Sequence, residues 1–129
     1  MARILIVDDD PQIRKMVALL LTNAGHTVVE APNGRDAVDA HRRDPVQLVI
    51  TDIVMPEQEG IETIEALRQD WPGLPVIAIS GGLANSKIYL ALAGKIGANR
   101  TLAKPFNPDQ LIGVVSEVLA HSAQPAPEA

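Results

Sequence analysis

The chain has 129 residues, 47% of them apolar, with a formal net charge of −5 and no cysteine. That length suits one compact domain with helices on both faces of a sheet, and the missing cysteines exclude disulfides, thiolate metal sites and thiol redox chemistry. Trp71, Tyr89 and Phe106 are the only aromatic residues, which with the acidic balance excludes a basic groove of stacking platforms and argues against direct nucleic-acid binding.

Short apolar runs alternate with longer segments of helical period, the pattern of strand–helix units around a parallel sheet, and five such units are expected. The first strand is Arg3 to Val7, and three aspartates follow it where a secretory leader would place small residues. No apolar run is long enough to span a bilayer, so a cytoplasmic protein without membrane insertion is expected. Asp10 caps the first helix, Pro11 takes its first position, Ile13, Val17, Leu20 and Leu21 share a face, and Gly25 is the stop. The second strand, Thr27 to Ala31, ends at Pro32-Asn33-Gly34, and a helix from about Arg35 to Arg43 is broken by Asp44-Pro45.

The third strand, Val46 to Thr51, is apolar except for Gln47, as strands covered on both faces are, and Asp52 follows directly. After Met55-Pro56 and Gly60 a third helix runs to about Gln69, and Trp71-Pro72-Gly73 leads into a strand from Leu74 to Ile79. Ser80 comes next. A fourth helix is expected around Ser86 to Ile96, then a short strand from Thr101 to Ala103 and Lys104-Pro105. The last helix has Asn107 as cap and Pro108 at its first position, with Leu111, Val114, Val115, Val118 and Leu119 apolar. One domain over residues 1–121 is expected, with 122–129, holding Pro125 and Pro127, as a disordered tail or the start of a linker.

Asp8, Asp9, Asp52, Ser80 and Lys104 all fall at C-terminal strand ends, the edge where open parallel sheets bind ligands, so residues remote in sequence converge there. Three close carboxylates repel one another unless a cation neutralises them. Mg²⁺ fits, since it takes oxygen ligands, typically one or two carboxylates plus a phosphate oxygen. Phosphoryl transfer needs such charge held in place, and Lys104 and the Ser80 hydroxyl would serve the remaining phosphoryl oxygens.

Through Val7-Asp8-Asp9, Asp52-Ile-Val-Met-Pro56 with Gly60, Ser80-Gly81 and Lys104-Pro105-Phe106, the chain resembles the receiver domain of two-component response regulators over residues 2 to about 120. The resemblance implies a flavodoxin-like α/β fold, a doubly wound parallel sheet of strand order 2-1-3-4-5 with five helices. It implies that Asp52 accepts a phosphoryl group from a histidine kinase or histidine phosphotransfer protein. It further implies that Asp9, Asp52 and the Val54 carbonyl bind Mg²⁺, that Asp8 holds a metal-bound water, and that Ser80 and Lys104 meet the phosphoryl group. Such a domain is a signalling phosphoacceptor that assists its own phosphotransfer and dephosphorylation.

Two departures from the family's pattern bear on output. Thr101 stands where the family usually has an aromatic switch residue, and the spacing from Ser80 to Lys104 is longer than usual. Switching is therefore expected through the segment after Ser80 and the fourth helix, with a downstream protein bound by the fourth helix, fifth strand and fifth helix. Ile88, Tyr89 and Arg100 are the candidate contacts. Val54 and Gly82 stand at positions where the family often has polar side chains near the attacking water, and neither can orient it, so the resemblance implies slow self-dephosphorylation.

Two other readings fit less well. A flavin or nucleotide binder on the same fold would need a glycine-rich phosphate loop where this chain has Asp8-Asp9-Asp10-Pro11. A receiver that binds partners without phosphorylation would not need all five site residues. His26, His41 and His121 are scattered near helix ends or on charged surface, and none is read as a base or metal ligand.

Overall fold

The structure is a computed structural model, and it describes residues 2–52, 59–80, 91, 95, 97–103 and 106–123. The alternation of apolar runs and helical periods resolves into β1 (Arg3–Val7), α1 (Pro11–Asn23), β2 (Thr27–Ala31), α2 (Gly34–Arg43), β3 (Leu48–Asp52), α3 (Glu59–Asp70), β4 (Val76–Ser80), β5 (Arg100–Ala103) and α4 (Pro108–Ala123). All strand pairs are parallel, in the order β2-β1-β3-β4-β5, as expected. Four helices stand among the described residues against five expected. Of the fourth predicted helix, 86–96, only Ala91 and Lys95 are described, and both are helical.

Period-two alternation divides the strands between two cores. Leu5, Val7, Val49, Val76 and Ala78 face Ala37 of α2 and Ile64 and Leu67 of α3. Ile4, Ile6, Leu48, Ile50, Ile77 and Ile79 face Val17 and Leu21 of α1 and Leu111, Val115 and Val118 of α4. Burial on both faces is why β3 and β4 read as unbroken apolar runs: every residue of each is buried. Phe106 is half-buried against the second core.

Local signals set the helix ends. The Asp10 carboxylate accepts from the Gln12 N–H at 2.9 Å with Pro11 at the first helical position. At the other end Gly25 has φ +99°, the Gly25 N–H reaches the Thr22 carbonyl and the His26 N–H reaches that of Leu21, a Schellman closure that needs a left-handed residue. Asn107 and Gln110 cap α4 reciprocally, each side chain accepting from the other's backbone N–H at 2.7 and 2.9 Å. Asn33 caps α2 through the Asp36 N–H at 2.8 Å, so that helix begins at Gly34, one residue before the predicted start.

Several boundaries differ from expectation. β3 begins at Leu48 and not Val46, because the Val46 N–H is committed to His41 Nδ1 at 3.0 Å. β4 begins at Val76 and not Leu74, since Pro75 has no N–H for the ladder. Both strands extend one residue further, placing Asp52 and Ser80 on the last rungs. α4 runs to Ala123, two residues into the segment expected as tail.

Arg68, near the end of α3, ties the sheet's lower edge. It donates to the Gly97 carbonyl (2.8 Å), the Pro72 carbonyl (2.7 Å) and Asn99 Oδ1, which also accepts the Val76 N–H at 2.9 Å. Gly97 has φ +123°, and a Cβ there would lie 2.8 Å from the Arg68 side chain, so backbone and space both demand glycine.

His41, read from sequence as a surface residue near a helix end, is only 5% exposed and sits edge-on to Trp71 at 4.5 Å between ring centroids. Its Nδ1 accepts a hydrogen bond, so the ring is neutral, and burial pushes it below its ordinary value of 6.5. A depressed histidine contributes stability that is full above the unfolded value and is lost as pH falls through it toward the folded value. The urea midpoint is therefore expected to fall between about pH 7 and pH 5, and less steeply in His41→Asn, whose amide oxygen can take the Val46 N–H without titrating. Parallel pH profiles for the two proteins would contradict this. His26 is shifted the same way, first by burial, and supplies the residual slope.

Candidate functional site

Parallel pairing brings the strand ends level. In the β1–β3 ladder Val7 is opposite Thr51, so Asp8 and Asp52 follow side by side at the point where the strand order reverses. In the next ladders Asp52 is opposite Ile79 and Ser80 is opposite Ala103. Successive strands thus deliver Asp8, Asp52 and Ser80 to one edge.

Asp8, Asp9 and Asp52 come together there, each offering a carboxylate oxygen, with these atoms all within 4.8 Å of one another. Asp8 and Asp52 are buried and Asp9 is exposed, so the cluster has a floor and an open side. Ser80 is fully buried. At about 4–5 Å, like charges repel by about 1 kcal/mol in water and several-fold more at partly buried sites. A set of oxygen donors alone suits a hard divalent cation of the Mg²⁺ type held among the three acids, directly or through a bound water.

The local backbone holds this geometry. The Asp8 N–H donates to the Ala31 carbonyl at 3.2 Å, and Asp8 Oδ1 accepts from the Asp10 N–H at 2.9 Å. The Thr51 hydroxyl donates to the Asp52 carbonyl at 3.1 Å. Asp10, read as a cap, does cap α1, and its own N–H also steadies an acid of the cluster.

Of the sequence-predicted site residues, Asp8, Asp9, Asp52 and Ser80 are placed at this edge. Val54 and Lys104 lie outside the described residues, as do the loop after Ser80 and most of 86–96, on which the expected switching route falls. Thr101 is described and exposed on β5. Sequence reasoning missed Arg14, whose Nη1 donates to the Asp8 carbonyl at 2.8 Å. Nothing in the sequence separates it from an ordinary surface cation on α1.

A family model described as the response regulator receiver domain matches residues 4–116. The chain is 35% identical over 123 residues to the transcriptional regulatory protein GlrR of Escherichia coli (strain K12), covering 95% of this chain but 27% of that protein, so it spans about a quarter of that relative's length. It is 34% identical over 117 residues to the chemotaxis protein CheY of Thermotoga maritima, covering 90% of this chain and 96% of that protein. The crystal structure of the receiver domain of NtrX from Brucella abortus superposes with a TM-score of 0.86 at 33% identity, covering 91% of this chain and 98% of that one.

Proposed function

The chain belongs to the response regulator receiver domain family of two-component systems, and on that premise we propose that Asp52 is the residue that takes the phosphoryl group. Phosphoryl acceptance on an aspartate is general to this family, as are Mg²⁺ binding at an acidic pocket and interaction with histidine kinases and downstream effectors. The observation that carries the assignment is the triad of carboxylate oxygens within 4.8 Å, with Asp52 on the last rung of the central strand.

Asp8 and Asp9 would hold the cation together with Asp52 and the Val54 carbonyl, Asp8 through a water. When bound, Mg²⁺ neutralises the acids and stabilises charge on the phosphoryl oxygens. An Asp52 carboxylate oxygen attacks phosphorus in line with the phosphohistidine nitrogen of the donor. The new O–P bond forms as the P–N bond breaks, and the imidazole keeps the electron pair. The Ser80 hydroxyl donates a hydrogen bond to one phosphoryl oxygen, and the Lys104 ammonium pairs with another. Burial of Asp52 and Ser80 keeps bulk water from competing.

The receiver unit in this reading runs to the end of α4 at Ala123, two residues past the expected boundary at 121, with the residues after it as tail or linker. The donor is a histidine kinase or histidine phosphotransfer protein. The output face comprises the predicted 86–96 helix, β5 and α4, where Arg100, Thr101 and Ala103 are exposed.

The test is incubation with acetyl phosphate and Mg²⁺ followed by intact-mass measurement of wild type and Asp52→Asn. Wild type is expected to gain one phosphoryl mass and the variant none. A gain in both would remove Asp52 from its role.

A further inference from the structure

Arg14 is the most buried basic partner among the described ion pairs: its side chain is 15% exposed, against 34% for Arg3, 45% for Arg100 and 58% for Arg42. Taking a guanidinium out of water is costly, and an ion pair seldom repays it by stability alone. Among the described residues Arg14 bonds to Glu30 Oε1 at the end of β2 (3.1 Å) and to the carbonyl oxygen of Asp8 (2.8 Å).

The geometry points to Arg14 as a positioning residue for the acidic pocket, acting through the Asp8–Asp9 peptide; this rests on the reading of that pocket as the Mg²⁺ site. The carbonyl it grips belongs to the peptide that joins Asp8 to Asp9. Asp8 is thereby held at its N–H by Ala31, at its carboxylate by the Asp10 N–H and at its carbonyl by Arg14. Asp9 is exposed, and the orientation of that peptide plane sets the direction in which it leaves the chain. Glu30 fixes the guanidinium from the other side and cancels its charge, so the pair adds little net field at the three acids. Its contribution is geometric. A guanidinium serves two acceptors in a fixed fork, whereas an ammonium acts as a point charge on a flexible stem.

Calorimetric Mg²⁺ titration of Arg14→Lys and Arg14→Met should show binding about tenfold weaker than wild type, the lower end of what loss of an outer-shell partner costs a metal site. Glu30→Gln, a mild change at a residue one-third exposed, should weaken binding less and secures the test if the arginine variants fold poorly. In metal-free protein, exchange of the Asp10 amide should be faster in Arg14→Lys than in wild type. An unchanged Mg²⁺ affinity in Arg14→Lys and Glu30→Gln, with only a lower unfolding midpoint, would make Arg14 merely structural and overturn the inference. Tighter binding by Arg14→Met with no change in Arg14→Lys would mean the charge alone matters, and would overturn it too. The pocket reading itself is tested by Asp9→Asn: if wild type fails to bind Mg²⁺, or Asp9→Asn binds as tightly, both readings fall. If Asp9→Asn loses affinity and the Arg14 and Glu30 variants keep it, only the positioning role falls.

Discussion

Asp52→Asn is expected to unfold at higher urea than wild type in metal-free buffer and to lose most of the stabilisation that Mg²⁺ gives wild type. Three carboxylates with oxygens within 4.8 Å of one another carry a standing repulsion. An amide of the same shape removes one charge and with it two of the three pairwise repulsions, which at that spacing is worth about 1–3 kcal/mol. The same charge is what a cation binds. With Mg²⁺ at about one hundred times its dissociation constant, wild type gains about 2.7 kcal/mol by mass action, and the variant far less because its affinity is lower. The two effects have opposite signs, so paired urea titrations with and without Mg²⁺ separate them. A variant less stable without metal and as responsive to Mg²⁺ as wild type would contradict the acidic-pocket account.

Leu111→Ala is expected to cost about 2–5 kcal/mol, the range for deleting a fully buried leucine. Leu111 is 0% exposed and sits in the first turn of α4, within the core that α4 shares with α1 over β1, β3 and β4. For a domain whose total stability is about 5–15 kcal/mol, that loss is large. Chemical denaturation measures it. A cost under about 1 kcal/mol would mean that α4 does not close that face of the sheet.

Much of this was legible in the residues because the signals were local. Asp10-Pro11 and Asn107-Pro108 announce helix starts through a side-chain acceptor followed by a residue without an N–H, and both caps stand where they were read. The central strands announced themselves by apolar runs, because helices cover both faces. Those runs misplaced the strand starts: Val46 and Leu74 are buried outside the ladder, and only tertiary pairing decides where hydrogen bonding begins.

The candidate acids were legible because Asp8, Asp9 and Asp52 each end an apolar run, and the 2-1-3-4-5 order brings those ends together. The residues that steady them were not. Arg14 meets Glu30 sixteen positions away, across a crossover from α1 to β2, and neither residue type nor spacing marks that meeting. His41 was misread for a similar reason: its helix is charged on the solvent side, and its burial depends on Trp71, thirty positions later. Pairs of this kind are set by how helices dock on the sheet, which local sequence does not encode.

The central claim, that phosphoryl chemistry occurs on the Asp52 carboxylate, is tested most directly by locating the modification. Protein treated with acetyl phosphate and Mg²⁺, reduced with borohydride and mapped by peptide mass spectrometry should carry a single reduced side chain, at position 52, because an acyl phosphate is reducible and a phosphate ester is not. Reduction at Asp8 or Asp9, or a phosphoryl group on Ser80 that survives borohydride, would contradict it.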